Sequence, residues 1–564
     1  MKLFLYFLIL FHVIRFSEAS EKNETKELFG KDVTAIPETL KDKTTEVFFV
    51  DSQIAAIPKG AFSKNPQLKS IEFSGTVTSS IEEGAFEGLE HLNVLEISDT
   101  QVASLPVGVF RDLTNLHKLI MKSNNIEKLE HGLFHDTKNL EALRLQDNKI
   151  STIEEGTFDP LENLLELNLA RNRLNSITSS LFSKLTKLKI FRLYENQLTS
   201  MPDGLFHNLP GLKEIAIHAN QITHIQPNLF PHKNILTTLY LDNNHLTELP
   251  PEIFEGLSAL KRLKLNHNRL NVLPPVLFKG LQKMTELYLN NNNLTSLPAE
   301  IFQSMRQLKK LDLSFNQFST LSADYFVGLK TLSELNLGNN LIVSLKSEDF
   351  TNLQSLSTLR LDNNKLRMIS QEVFDSLPKL KRIFLHNNTW YCDCNLLPMY
   401  DWMKKNQDKI MSSFEEVCEY PQHLNGQSVT SLSEDQLICS TTTVPTTTTS
   451  LIITTTSVAT TIMAKTSLAY NYTIYHFFTY NSFCYNNHHF YPYHCIRNHS
   501  DYYIINHLLF YNPTYDNHNN LYHTRKFNYS THHYGNKYTA DNSNYRTIDY
   551  IYSFNNYNHR NYKP

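Results

Sequence analysis

One length governs this chain: 24 residues. Written in rows of 24 from Thr44, the sequence keeps its columns aligned to Leu380 without a slip. One row carries Leu140, Leu143, Leu145, Asn148 and Ile150; the next carries Leu164, Leu167, Leu169, Asn172 and Leu174. The shared frame, LxxLxLxxNxL, opens again at Leu116, Leu188, Leu212, Leu236, Leu260, Met284, Leu308, Leu332, Leu356 and Leu380. A second column holds phenylalanine at every step from Phe62, Phe86, Phe110 and Phe134 to Phe374. Proline recurs in a third, at Pro58, Pro106, Pro202, Pro250, Pro274 and Pro298. One row cannot bury its apolar positions alone. It needs the next row against each face, so the period dictates a stacked solenoid rather than a set of globules.

The columns predict the geometry of a row. LxL puts two leucines on one face of a short strand, because side chains alternate. Parallel strands of successive rows stack at ~4.8 Å, so about fifteen rows make a sheet about 70 Å long. The asparagine caps the tight turn after the strand, and its amide can bond backbone groups as a repeating ladder. Proline suits the irregular convex side, where no ladder hydrogen bond is needed. The phenylalanine column fills the wider convex half of the core. In the earliest rows Ser52, Thr76 and Thr100 replace the asparagine. Their hydroxyls can cap more weakly, and atypical rows are expected at a solenoid edge.

On these columns the chain is identified as a member of the extracellular leucine-rich-repeat superfamily, a resemblance that covers roughly residues 28–440. It implies an α/β solenoid. The shape is a leucine-rich-repeat horseshoe with a parallel concave sheet, a disulfide-bonded C-terminal cap and a disordered tail. Six cysteines occur, none before Cys392. Four of them, Cys392, Cys394, Cys418 and Cys439, cluster in one stretch, which in an exported protein reads as disulfides. Spacing alone leaves three connectivities open. The stretch Trp390-Tyr391-Cys392-Asp393-Cys394 with Trp402 is similar to the family's C-terminal flanking domain. That similarity implies Cys392–Cys418 and Cys394–Cys439. At the other end, Asp32 to Pro37 and Thr44 to Phe49 resemble the second half of the N-terminal flanking domain. Its cysteine-bearing half has no counterpart. The expected cover there is a cysteine-free hairpin, or the reading frame lacks its beginning.

The flanks are read from composition. Lys2, the apolar run Leu3 to Ile14 broken only by His12, and the small residues Ser17 and Ala19 form an export-signal pattern. No later segment holds eighteen apolar residues in a row, so no membrane span is expected in this chain. Residues 441–467 form a Thr-rich stalk of the kind that carries O-glycans. From Asn471 onward there is no Glu, Gln, Met, Trp or Val, while Asn, Tyr and His abound. Threonine ACN codons read one base early become NAC, encoding Tyr, His, Asn or Asp. The region 468–564 therefore reads as a disordered or frame-shifted continuation of the stalk, and Cys484 and Cys495 are not assigned to a fold. The domain plan is a signal peptide 1–19, an N-terminal cap 20–43, the solenoid 44–387, a C-terminal cap 388–440, then stalk and tail.

Function is expected on the concave face, at the third, fifth, seventh and eighth positions of each row. There the candidate ligand-binding residues are Arg144, Arg171, Arg192, Tyr194, His218, Tyr240, Asp242, Lys264 and Tyr288. Gln146, Asn266 and Asn290 share the frame, and earlier rows carry Glu72, Glu96, Asp99 and Glu166. Tyrosine and arginine are enriched at protein-binding hot spots. Sequons at Asn23, Asn293 and Asn387 are the glycosylation candidates. No GxSxG, HExxH, phosphate-loop or dinucleotide motif is present, so no catalytic residue, metal site or cofactor is assigned and the chain reads as non-enzymatic. The net charge of -3, from 53 basic and 56 acidic residues, gives no electrostatic case for nucleic acid.

The stretch Met399 to Met411, with Cys418 and Leu424 to Val429, resembles the end of leucine-rich alpha-2-glycoprotein, and the repeats are similar to those of platelet glycoprotein V and the regulatory subunit of carboxypeptidase N. Those resemblances imply a secreted binder of extracellular protein ligands, a stalked cell-surface recognition receptor, or a non-catalytic subunit of a secreted enzyme. The first is the leading expectation.

Overall fold

The computed structural model describes residues 25–231, 234–411 and 415–439. The export signal, Asn23, the stalk and the tail with Cys484 and Cys495 lie outside the described residues.

Among the described residues, sixteen parallel strands form one sheet in strict chain order, from Lys26–Phe29 through Glu46–Val50 to Arg382–Phe384. Pairing is in register with the repeat: Leu143 faces Leu167, Leu167 faces Phe191, and Leu263 faces Leu287. The register is fixed because a one-residue slip would turn every buried leucine to solvent. The strands are short, typically three residues as in Ala142–Arg144, because each row must turn back at once.

The turn has a common geometry. The eighth residue of each row, from Asp51 to Asn387, sits in the left-handed region with φ between 52 and 67°. Asn, Asp and Gly fill most rows, as that conformation favours. Ser123, Arg171, Glu195, Ala219 and Phe315 occupy it without that aptitude. The next residue is the ladder asparagine, buried throughout. Asn196 Nδ2 donates to the carbonyls of Leu169 and Leu193, at 3.0 and 3.1 Å. Its Oδ1 accepts from Leu174 N at 3.0 Å. Asn220, Asn244, Asn268 and Asn292 repeat these bonds, so each side chain ties its own row to the preceding one. The early rows depart as their residues require. Thr100 donates to Asn124, Thr76 pairs with Thr78 at 2.8 Å, and the buried Ser52 hydroxyl has no partner among the described residues.

The phenylalanine column forms a second spine. Phe110, Phe134, Phe158 and Phe182 stack nearly parallel at 5.7–6.0 Å. Phe191, which replaces a strand leucine, stands edge-on to both Phe182 and Phe206, at 5.0 and 5.6 Å.

The ends are closed differently. Lys26–Phe29 adds to the sheet edge as a parallel strand, not as half of a hairpin. Phe29 stacks on Phe49 at 5.2 Å and so reaches the core, while Leu28 on the opposite face is exposed. At the far end the helix Leu397–Lys405 buries Met399, Tyr400, Trp402 and Met403. Tyr400 Oη donates to the Leu432 carbonyl at 2.7 Å, and Met411 N donates to the Ile383 carbonyl of the last strand at 2.8 Å. Cys392 is bonded to Cys418, and Cys394 to Cys439.

Candidate functional site on the concave face

Alternation places the third, fifth and seventh positions of every row on the outer side of the sheet. Successive rows lie side by side, so groups 22 to 26 residues apart meet. Three zones result.

The first zone is acidic. Glu72 and Glu96 face each other in register on neighbouring strands. Burial, with the Glu96 charge beside it, pushes the Glu72 carboxyl up to about 7. Lys122 and Lys118 act in the opposite sense. Glu96 accepts from Ser98 Oγ at 2.9 Å.

The second zone is an internally paired ladder. Arg144 holds Glu166 with two bonds, at 2.8 and 3.1 Å. Arg192 bridges Glu166 and Glu214 at 3.2 and 2.8 Å. Arg171 reaches Glu195 at 2.9 Å and Asp147 at 3.6 Å. Glu214, at a third position, completes this ladder but lies outside the candidate set, which took tyrosines, arginines and a few other groups from the concave frame without weighing charge between rows. The signal that finds it is opposite charge in adjacent rows.

The third zone is aromatic and cationic. Tyr194 stacks on His218 at 4.5 Å, and His218 lies edge-on to Tyr240 at 5.8 Å. The Lys264 ammonium sits over the Tyr240 ring at 4.8 Å and near the Tyr288 ring at 5.9 Å. Lys310 covers the other side of Tyr288 at 5.6 Å. Arg262 clamps Glu286 at 2.9 and 3.1 Å and donates to Tyr240 Oη at 3.2 Å. The bond from Arg262 lowers the Glu286 carboxyl below its usual range. Tyr288 Oη donates to the same carboxylate at 3.1 Å, and burial followed by that charge raises the phenol. Burial lowers the His218 imidazole, against the opposing charge of Asp242. Arg262, Glu286 and Lys310, all at third positions, are part of this zone and absent from the sequence candidates.

The seventh column is less exposed than alternation suggests. Asp242 is only 6% exposed, so it is not the solvated surface group its pattern implies. Gln146 and Asn266 each bury a polar oxygen without a hydrogen-bond partner among the described residues. Asn293 and Asn387 are exposed at the turns. The Asn387 amide donates to Asn363 at 2.9 Å. Among the described residues no group of His, Cys, Asp and Glu is arranged to hold a metal ion, and no helix is long and apolar enough to cross a membrane.

The arrangement is that of known proteins. The structure is similar to Toll in the Drosophila Toll–Spatzle complex, with TM-score 0.55, 21% identity, and coverage of 73% of this chain and 68% of that one. It is similar to TLR13 in its complex with ssRNA13, with TM-score 0.57, 23% identity, and coverage of 70% and 60%. It also matches a leucine-rich-repeat protein of Leptospira interrogans, with TM-score 0.52, 24% identity, and coverage of 68% and 96%. At these identities the likeness is one of fold. In sequence, 55 residues are 36% identical to human carboxypeptidase N subunit 2, a match spanning 10% of each chain. The family described as leucine rich repeat matches in nine overlapping windows, from 45–102 to 330–389. Those windows run unbroken over more than half of the 564 residues, and the chain belongs to the leucine-rich-repeat family.

Proposed function

We propose that this is a secreted, non-catalytic glycoprotein that binds an extracellular protein ligand through the third zone of its concave face. One observation carries the reading. The ladder around Glu166 uses its charges on itself, whereas Tyr240, Lys264 and Tyr288 form an aromatic row in which the Lys264 ammonium has no carboxylate within ion-pair distance among the described residues. Aromatic side chains with a cation beside them are the groups that anchor protein interfaces. Paired arginines contribute less, because a partner must first break bonds already made. Export follows from the signal pattern at residues 1–19, and glycans at Asn293 and Asn387 would limit the side from which a partner approaches.

The test compares the full chain with a Tyr240→Ala/Tyr288→Ala variant as bait for extracellular fluid proteins. Ligands held by the parent should be lost by the variant while its circular dichroism is unchanged. Equal retention by both would place binding elsewhere.

A further inference from the structure

Two rows of the concave face carry an aspartate in the seventh column, and the groups that meet the two carboxylates differ: Asp362 has His386 of the next row at 3.8 Å and an arginine of its own row, and Asp242 has neither. Asp362 is 2% exposed and is met by an arginine of its own row. Arg360 Nε donates to Oδ1 at 3.1 Å and Nη2 to Oδ2 at 3.2 Å, while the Asn363 amide adds a bond to Oδ2 at 3.1 Å. The guanidinium lies over the Phe384 ring at 4.5 Å. Asp242 is 6% exposed, and the Asn243 amide donates to its Oδ2 at 2.8 Å in the same manner. Its row has Tyr240 where the other has Arg360, and its Oδ1 has no hydrogen-bond partner among the described residues. A buried carboxylate oxygen without a donor is unfavourable, and a guanidinium relieves it best because it offers two parallel donors.

We propose that Asp242 is the socket for an arginine side chain of a protein partner, held as Arg360 is held by Asp362. The inference rests on the concave-face reading above and names the chemistry of the ligand. The rest of the site suits that occupant. In the flanking rows His218 Nδ1 and Asn266 Oδ1 are buried and unpartnered among the described residues, and a guanidinium has five N–H groups to share. Burial disfavours the charged form of the His218 ring, which eases the approach of a cation. Its stack with Tyr194 and the nearby Tyr240 ring supply aromatic surface of the kind Phe384 gives Arg360. Asp242 Oδ1 is buried, so entry requires a side chain to swing aside, and the long flexible one at hand is Lys264, whose ammonium lies over the Tyr240 ring of the Asp242 row. The displaced ammonium then faces the partner, and the complementary surface carries an acidic residue next to its arginine.

The experiment is fluorescence anisotropy with the full chain. The probes are a labelled hexapeptide with a central arginine–aspartate pair and the same peptide with citrulline, a neutral isostere, for arginine. The arginine peptide should bind at least about tenfold more tightly, and Asp242→Asn should abolish that preference. The Asp242→Asn chain should melt no earlier than the parent, since Oδ1 has no in-chain donor to lose. Equal binding of the two peptides, binding of neither, or a preference that survives Asp242→Asn overturns the socket. So does a clear loss of stability in Asp242→Asn, which would mean the carboxylate is engaged within the chain. A partner whose capture survives Asp242→Asn but not Tyr240→Ala/Tyr288→Ala ends the socket while leaving the concave-face reading in place.

Discussion

The Trp402 indole lies 3.9 Å from the Phe374 ring with the two planes 7° apart. Phe374 is the last member of the phenylalanine column, so the cap helix lays its indole directly on the end of that column. Trp402→Ala should therefore cost about 3 kcal/mol, in the range for deleting a large buried aromatic. It should do so with both disulfides formed. Denaturant unfolding of the oxidised protein checks this, and a loss below about 1 kcal/mol would mean the disulfides alone hold the cap.

The turn ladder predicts a contrast between two polar positions of the same column. Asn220→Ala removes donors to Leu193 and Ile217 and the acceptor for Leu198 N, leaving buried backbone groups unpaired. A loss of about 2–4 kcal/mol follows. Ser52→Ala removes a buried hydroxyl that bonds nothing among the described residues, and should be neutral or slightly stabilising. Thermal melts of the two variants side by side decide the matter.

Phe315 holds a left-handed backbone at φ 52° while the residue is 51% exposed. A bulky side chain is strained there, and burial returns little. Phe315→Asn should raise stability by about 1 kcal/mol, since asparagine tolerates this conformation. If the same change weakens ligand binding, the strained ring serves recognition. Calorimetry and a binding assay on one variant separate the two effects.

Glu72 sets a pH dependence whose sign can be stated. Its folded pKa of about 7 lies above the ordinary value of 4.5, so the folded state holds the proton more tightly than the unfolded state. The contribution to stability is full below about pH 4.5 and is lost as pH rises toward and through 7. Glu72→Gln should thus stabilise the protein by about 1 kcal/mol at pH 8, allowing for solvent screening, and change little at pH 5. A stabilisation equal at both pH values would show that charge is not the cause.

Columns of one residue type were legible from the sequence because the period repeats the same physical demand in each row. Leu143, Asn148 and Phe158 occupy the places their columns require. Relations between rows were harder to see. Glu214 and Glu286 matter through Arg192 and Arg262, and neither charge announces its neighbour until rows are laid side by side. Asp242 looked like a surface residue because alternation reports a direction and not a depth. The N-terminal cover was expected as a cysteine-free hairpin; the structure adds Lys26–Phe29 as a parallel edge strand instead, and its sequence, Lys-Glu-Leu-Phe, has no polar–apolar alternation to announce a strand.

The in-register sheet also makes the concave face a ruler. Each row advances the surface by one strand spacing of ~4.8 Å, so the rows bearing Asp242 and Phe315, three steps apart, are separated by about 15 Å. Inserting or deleting one whole row between them would change that distance by one graduation, while neighbour-only contacts keep each mark intact. The distance between recognition points on a partner could thus be matched by repeat number alone, with no contact residue altered.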